Sequence, residues 1–230
     1  MNFNGFQKLT LLDFPGKVAC TLFLAGCNFR CPFCHNASLV TDIDNSITYS
    51  DEEILKYLKK RVGVLEGVCI TGGEPLLNKD LEEFLIKVKA LGYPIKLDTN
   101  GYFPDRLKSL IDKKLVDYVA MDIKNCKEKY ALTVGVDNLD ISPVLKSVEL
   151  LKSDLLDYEF RTTIVKEFHT IDDILKMGEW IKGAKRHYLQ NFVDSGNLIQ
   201  DGLSEIDKDT LEKMKEILSN FVTNAEIRGI

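Results

Sequence analysis

Cys27, Cys31 and Cys34 fall within eight residues in the run Cys27-Asn28-Phe29-Arg30-Cys31-Pro32-Phe33-Cys34. Three thiolates on one short loop suit three corners of an iron–sulfur cube, which leaves one iron open to a substrate or cofactor. The rival is a zinc ion completed by His35 or by a distant residue, since zinc also accepts Cys3His sets. Zinc knuckles usually draw their ligands from two separated pairs, and the chain has no second pair. Cys20, Cys69 and Cys126 stand alone and read as small buried hydrophobes.

Other polar groups recur where β-rich runs end. Gly72-Gly73-Glu74-Pro75 follows an apolar run, so its glycines permit close backbone approach and Glu74 is able to accept from an ammonium group. The same four residues also suit an ordinary strand-to-helix turn. No Gly-Lys-Ser/Thr follows, which excludes a phosphate loop. Asp98 and Asp122 end two further runs, where a carboxylate either caps a helix or positions a ligand. Lys124, two residues beyond Asp122, shares its face in an extended chain. Arg161 lies inside another run and needs a partner there, either a structural carboxylate or that of a ligand. His35 and His169 read as local hydrogen-bonding residues.

The elements that must carry these groups alternate in type. Strands are predicted at 18–24, 68–71, 94–98, 118–121, 158–165 and 188–192, with a late run near 225–228. Helices lie between them. Ser50 and Glu53 form a capping box before Ile54, Leu55, Leu58 and Val62. Leu81, Phe84, Leu85, Val88 and Leu91 share a face before Gly92. Pro104 and Pro143 suit first turns, the latter with Ser142 as cap, and Thr170 opens a helix that runs toward Gly183. Six strand–helix units imply parallel strands joined by helical crossovers. An α/β partial, open (βα)6 barrel is expected first, and a doubly wound sheet second. In a barrel, the four polar motifs meet on one rim, as an active site requires.

Taken together, these motifs carry a resemblance. The C-x3-C-x2-C loop with Phe33 before its last cysteine resembles the signature of the radical S-adenosylmethionine (SAM) superfamily. Asp13-Phe14-Pro15-Gly16, Cys-Pro-Phe-Cys-His-Asn at 31–36, GGEP at 72–75 and DTNG at 98–101 resemble the glycyl-radical-enzyme activating enzymes, above all those that serve anaerobic ribonucleoside-triphosphate reductase. The resemblance implies one [4Fe–4S] cluster on Cys27, Cys31 and Cys34, with SAM chelating the fourth iron. Reduction of the cluster would then split SAM into methionine and a 5′-deoxyadenosyl radical, which takes a hydrogen atom from a glycine of a partner enzyme. It further implies SAM contacts at Phe33, His35, Gly72, Gly73, Glu74, Asp98, Asp122, Lys124 and Arg161, with Glu74 meeting the methionyl amine and Phe33 the adenine. Many relatives place a SAM-contacting His near the end of the sixth strand, where this chain has Gln190 and Asn191.

Composition sets the outer bounds. The 230 residues, with 30 Lys+Arg against 35 Asp+Glu and 45% hydrophobic residues, suit a single domain over 1–230 that needs no disulfide staples. A net charge of −5 argues against nucleic acid as the main partner. No apolar run is long enough to span a membrane, and the N-terminus lacks a signal peptide, so a cytoplasmic location is expected. With no G-x-G-x-x-G fingerprint, the electron is expected from outside, from a flavodoxin or ferredoxin. A radical SAM enzyme acting on a small molecule and a non-catalytic zinc protein remain the alternatives.

Overall fold

In the computed structural model, which describes residues 1–46 and 48–229, ten strands and seven α-helices follow one another. The strands are β1 (Asn2–Phe3), β2 (Gly5–Thr10), β3 (Ala19–Leu24), β4 (Tyr49–Ser50), β5 (Gly67–Gly72), β6 (Ile95–Thr99), β7 (Tyr118–Asp122), β8 (Asp157–Ile164), β9 (Arg186–Asn191) and β10 (Asn224–Arg228). The helices are α1 (Asp51–Lys59), α2 (Leu81–Ala90), α3 (Pro104–Asp112), α4 (Tyr130–Val134), α5 (Ser142–Lys152), α6 (Ile171–Trp180) and α7 (Lys208–Leu218).

The main sheet runs β10-β9-β8-β7-β6-β5-β3-β2, and every pairing in it is parallel except β2 with β3. That order decides between the two expected architectures. A doubly wound sheet reverses its strand order at a switch point. Here the order advances monotonically, so right-handed crossovers lay the connecting helices on one face and the sheet curls around its other face. The result is an open barrel of the (βα)6 type. An antiparallel strand, β2, edges one side, and β10 edges the other.

Alternation along each strand separates two environments. Val68, Ile70, Leu97, Val119, Met121, Phe160 and Leu189 are buried in the hydrophobic core. The intervening residues Cys69, Lys96, Asp98, Ala120, Asp122, Glu159, Arg161 and Gln190 form the other face of the sheet, which becomes the barrel interior. A polar interior inside an apolar shell is the frame of the site.

Local signals explain most helix ends. Ser50 accepts from the Glu53 amide and Glu53 returns to the Ser50 amide, the expected capping box, and Thr170 and Asp173 repeat it on α6. Two details differ from expectation. Ser142 is the first residue of α5 rather than its cap, and its amide donates to Asp140 Oδ1 at 2.9 Å. Helix α6 ends at Trp180, with Gly183 turning beyond it at a φ of 88°. The short strands β1, β2 and β4 were not expected; five of the six residues of β2 are not buried, so its sequence lacks an apolar alternation.

Candidate active site

The cysteine loop leaves β3 at the C-terminal rim of the barrel and is tied down on several sides. The Gly26 amide donates to the Leu39 carbonyl at 2.8 Å, Arg30 to Val134 at 2.8 Å, and Gln200 to Pro32 at 3.0 Å. Cys27, Cys31 and Cys34 thereby line a single cavity of about 400 Å³. Burial pushes the Cys31 thiol up to about 12 and raises Cys27, while the nearby Lys124 cation pulls both back toward the thiolate. Cys20, Cys69 and Cys126 are buried elsewhere; Cys20 packs in the hydrophobic core, whereas Cys69 receives the Lys96 ammonium at 3.9 Å and Cys126 donates to Asp173 at 3.5 Å.

The GGEP turn lies directly against this loop. Gly72 has a φ of 123°, and a Cβ there would strike the Leu24 backbone, while a Cβ on Gly73 would strike the Gly26 carbonyl. Both positions require glycine. Glu74 is held by donors of the protein itself. Its carboxylate is 1% exposed and accepts from the Leu76 amide at 3.0 Å, the Thr99 hydroxyl at 2.9 Å and the Asn100 amide at 2.6 Å. The turn points its side chain toward the end of β6, where Thr99 and Asn100 supply two of these donors. Burial lifts its pKa to about 7 against those three donors.

Charged residues of β6, β7 and β8 form one network across the floor. Arg161 bonds to Asp98 at 3.3 Å and to Asp122 at 3.1 Å. Lys124 bonds to Asp122 at 2.9 Å, and Lys96 pairs with Asp98 from below. Burial alone would raise Asp122, but Lys124 and Arg161 outweigh it and hold the carboxyl down at about 2. Asp98 is lowered in the same way by Arg161 and Lys96. The expectation that Arg161 needs a partner is met twice over, and its side chain still lines the cavity.

Phe33, His35, Gly72, Gly73, Asp98, Asp122, Lys124 and Arg161 all line the same cavity as the three thiols. Asp13, Asn36, Thr71, Asn100, Thr163 and Gln190 join them; Asp13, Asn36 and Asn100 lie in the motifs that carry the resemblance, whereas Thr71 and Thr163 carry no motif. Thr163 was within reach of sequence reasoning, since it lies two residues from Arg161 on the same strand face. Of the late pair, Gln190 lines the cavity, whereas Asn191 is bonded to Ile206 in both directions, at 2.8 and 3.1 Å. His169 stands behind the site. Its Nε2–H donates to the Lys124 carbonyl at 2.9 Å, which leaves Nδ1 to accept from the Val165 amide at 3.1 Å.

These residues fit an iron–sulfur cluster better than a single ion. Thiols on one zinc all lie about 2.3 Å from the same point. Among the described residues, no three His, Cys, Asp or Glu side chains converge closely enough to hold one metal ion. The three thiols come from one short loop and line one cavity, the donor set that an iron–sulfur cluster takes. The Cys27 sulfur also receives the Phe29 amide at 3.4 Å, the kind of donor that iron-bound thiolates accept.

An open parallel barrel with three loop thiols and a polar floor defines the class, and comparison with known proteins places the chain within it. The sequence profile of the radical SAM superfamily matches residues 21–181, and the chain belongs to that superfamily. It is 31% identical, over 99% of its length and 95% of the relative's, to a putative glycyl-radical enzyme activating enzyme of Methanocaldococcus jannaschii. It is also 31% identical to a GTP 3′,8-cyclase of Helicobacter pylori, over 73% of this chain and 52% of that one. Among solved structures, Streptococcus suis SuiB bound to S-adenosylmethionine superposes with a TM-score of 0.69 at 15% identity, covering 91% of this chain and 52% of that chain. The chain therefore spans about half the length of that structure, and the likeness is one of fold. The protein is a radical SAM enzyme of the glycyl-radical activating type, a family whose cofactors are SAM and an iron–sulfur cluster.

Proposed function

We propose that this chain, acting as a single domain over 1–230, holds a [4Fe–4S] cluster on Cys27, Cys31 and Cys34 and binds SAM beside it to install a glycyl radical on a partner enzyme. The observation that carries this reading is the cavity that unites the three thiols with the Asp98–Arg161–Asp122–Lys124 network. When bound, the reduced cluster and SAM supply a one-electron cleavage of a carbon–sulfur bond and, through it, abstraction of a hydrogen atom.

The chain's own residues position these groups. In the floor network Lys124 and Arg161 are the cations that border the cavity, and the donors they keep beyond Asp98 and Asp122 would meet a ligand carboxylate. Asp13, on the β3 side, is held by the Thr21 hydroxyl. The Gly72–Gly73 backbone gives the close approach that a ligand ammonium needs, a task the enclosed Glu74 carboxylate leaves to the main chain. Phe33 is buried beside Phe168, with ring centroids 5.7 Å apart, and its backbone borders the space assigned to adenine. Thr163 and Gln190 offer a hydroxyl and an amide to the rest of the ligand, and His35 stands at the same wall beside Phe192.

Anaerobic ribonucleotide reductase is the partner favoured by the motifs, with a flavodoxin or ferredoxin as electron donor in the cytoplasm. No helix among the described residues is long and apolar enough to cross a membrane. The test is anaerobic reconstitution with iron and sulfide, then dithionite and SAM. Formation of 5′-deoxyadenosine, and of a glycyl signal in paramagnetic resonance once the partner is added, is expected. A reconstituted protein that binds no cluster and cleaves no SAM refutes the reading. The likeness to a GTP 3′,8-cyclase supports a small-molecule substrate as the second reading; SAM cleavage coupled to GTP turnover, with no glycyl signal on any partner, would establish it.

A further inference from the structure

Asn100 follows β6 and is 5% exposed, yet its side chain is aimed out of the core at the cysteine loop. Its Oδ1 accepts from the Tyr102 amide at 3.0 Å, which fixes the orientation of the carboxamide. The Nδ2 group therefore points at the loop, where it donates to Asn28 Oδ1 at 2.9 Å and lies 3.8 Å from Cys27 Sγ. The backbone of the same residue is anchored independently, its amide donating to the buried Glu74 carboxylate at 2.6 Å. Glu74 in turn sends its own amide to the Gly26 carbonyl at 2.8 Å, next to Cys27. Two turns that are far apart in sequence thus hold the segment 26–28, one at the Gly26 carbonyl and the other at Asn28 and the Cys27 sulfur.

We propose that Asn100 is a positioning residue that raises the reduction potential of the cluster through a hydrogen bond to the Cys27 sulfur, with Glu74 as the anchor that holds it in place. A donor on a ligating sulfur stabilises the more negative, reduced state, so it favours uptake of the electron. The inference rests on the cluster assignment made above. It also gives Glu74 a task that its enclosed carboxylate is able to perform.

The test is a redox titration of reconstituted wild type and Asn100→Leu, followed by paramagnetic resonance of the reduced cluster without SAM. One electron passes from dithionite to each cluster as the solution potential is lowered. Leu keeps the branched four-atom skeleton of the Asn side chain and removes the donor. At the wild-type midpoint, the ratio of reduced to oxidised cluster is expected to fall at least threefold in Asn100→Leu. Asn100→Asp keeps the shape and the Tyr102 contact but replaces the donor with a negative charge, so its ratio falls further, and it serves if the Leu variant folds poorly. Equal midpoints in variants with full iron and sulfide content overturn the inference and leave the cluster assignment standing. A wild-type chain that takes up no cluster overturns both.

Discussion

One layer below Arg161 inside the barrel, Glu159 is enclosed. It accepts from Arg228 at 2.8 and 2.9 Å and from the Tyr118 hydroxyl at 2.6 Å. Arg228 lies 3.3 Å from the Tyr188 ring centroid, and Phe14 packs against Tyr118 with centroids 6.0 Å apart. The layer above uses the same kinds of group, with Asp98 and Asp122 against Lys96, Lys124 and Arg161. There the carboxylates border a cavity and the cations retain donors for a ligand. Charge type does not separate structural from functional ion pairs in this interior. Saturation does, because a group whose hydrogen-bonding capacity is consumed by its neighbours has little left for a ligand.

Glu74 sharpens the same contrast within the upper layer. It sits in the most motif-like segment of the chain, yet it behaves like Glu159, with every nearby donor supplied by the protein.

The largest expected effect is at the thiols. Cys31→Ser should bring bound iron and sulfide, and SAM cleavage with them, to background, while the far-ultraviolet circular dichroism stays that of wild type. Retained cluster in that variant would remove Cys31 from the ligand set. Next, Glu159→Leu strands Arg228 and leaves the Tyr118 hydroxyl without its acceptor. Breaking a fully buried pair costs about 3–5 kcal/mol. With 34% of the Arg228 side chain exposed, about 2 kcal/mol is expected in urea unfolding, with SAM affinity of the folded protein unchanged.

Asp122→Asn should show the reverse pattern. SAM affinity measured by calorimetry on the cluster-loaded protein should fall about tenfold, about 1.4 kcal/mol, as Lys124 and Arg161 lose their orienting charge. Its unfolding midpoint should move less than that of the Glu159 variant. Equal losses of SAM affinity in the two variants would break the distinction between the layers.

The smallest effect concerns pH, measured on the cluster-free protein. Glu74 is raised by burial from 4.5 to about 7, so its contribution to stability is fully present below 4.5 and is lost as pH rises through about 7. Asp122 is lowered from 3.8 to about 2, so its contribution is present above 3.8 and is lost as pH falls through about 2. Burial lowers His169 and His187, so their contributions grow as pH rises toward 6.5 and oppose that of Glu74. The readout is therefore a difference: between pH 4.5 and 7 the urea midpoint of wild type should slope less favourably with pH than that of Glu74→Gln. Equal slopes in the two proteins would remove Glu74 from the pH dependence.

Much of the fold was legible because its signals are local. The capping boxes of α1 and α6 and the apolar runs of β5, β7 and β8 appear within windows of a few residues. The edge strand β2 was not legible, since partnership with β3 rather than apolar alternation makes it a strand. In the site, period-two reasoning placed Lys124 beside Asp122, and the structure has them 2.9 Å apart. The same reasoning, extended along β8, would have added Thr163. Asn36 stands in the motif at 31–36, but its partner, the Gly72 carbonyl, lies 36 residues away and is set only by the tertiary structure.

The sequence by itself determined the chemistry available. Cysteine spacing, the glycines at 72 and 73 and the polar residues at strand ends are covalent facts, and short-range geometry is enough to place them on loops and rims. Only the tertiary structure decided which way those groups face. It paired Arg161 with two carboxylates, chose Gln190 over Asn191 for the cavity wall, and set Glu74 against Thr99 and Asn100. Those outcomes depend on donors and acceptors brought together from distant parts of the chain, and they follow from the satisfaction of buried polar groups rather than from any residue's identity.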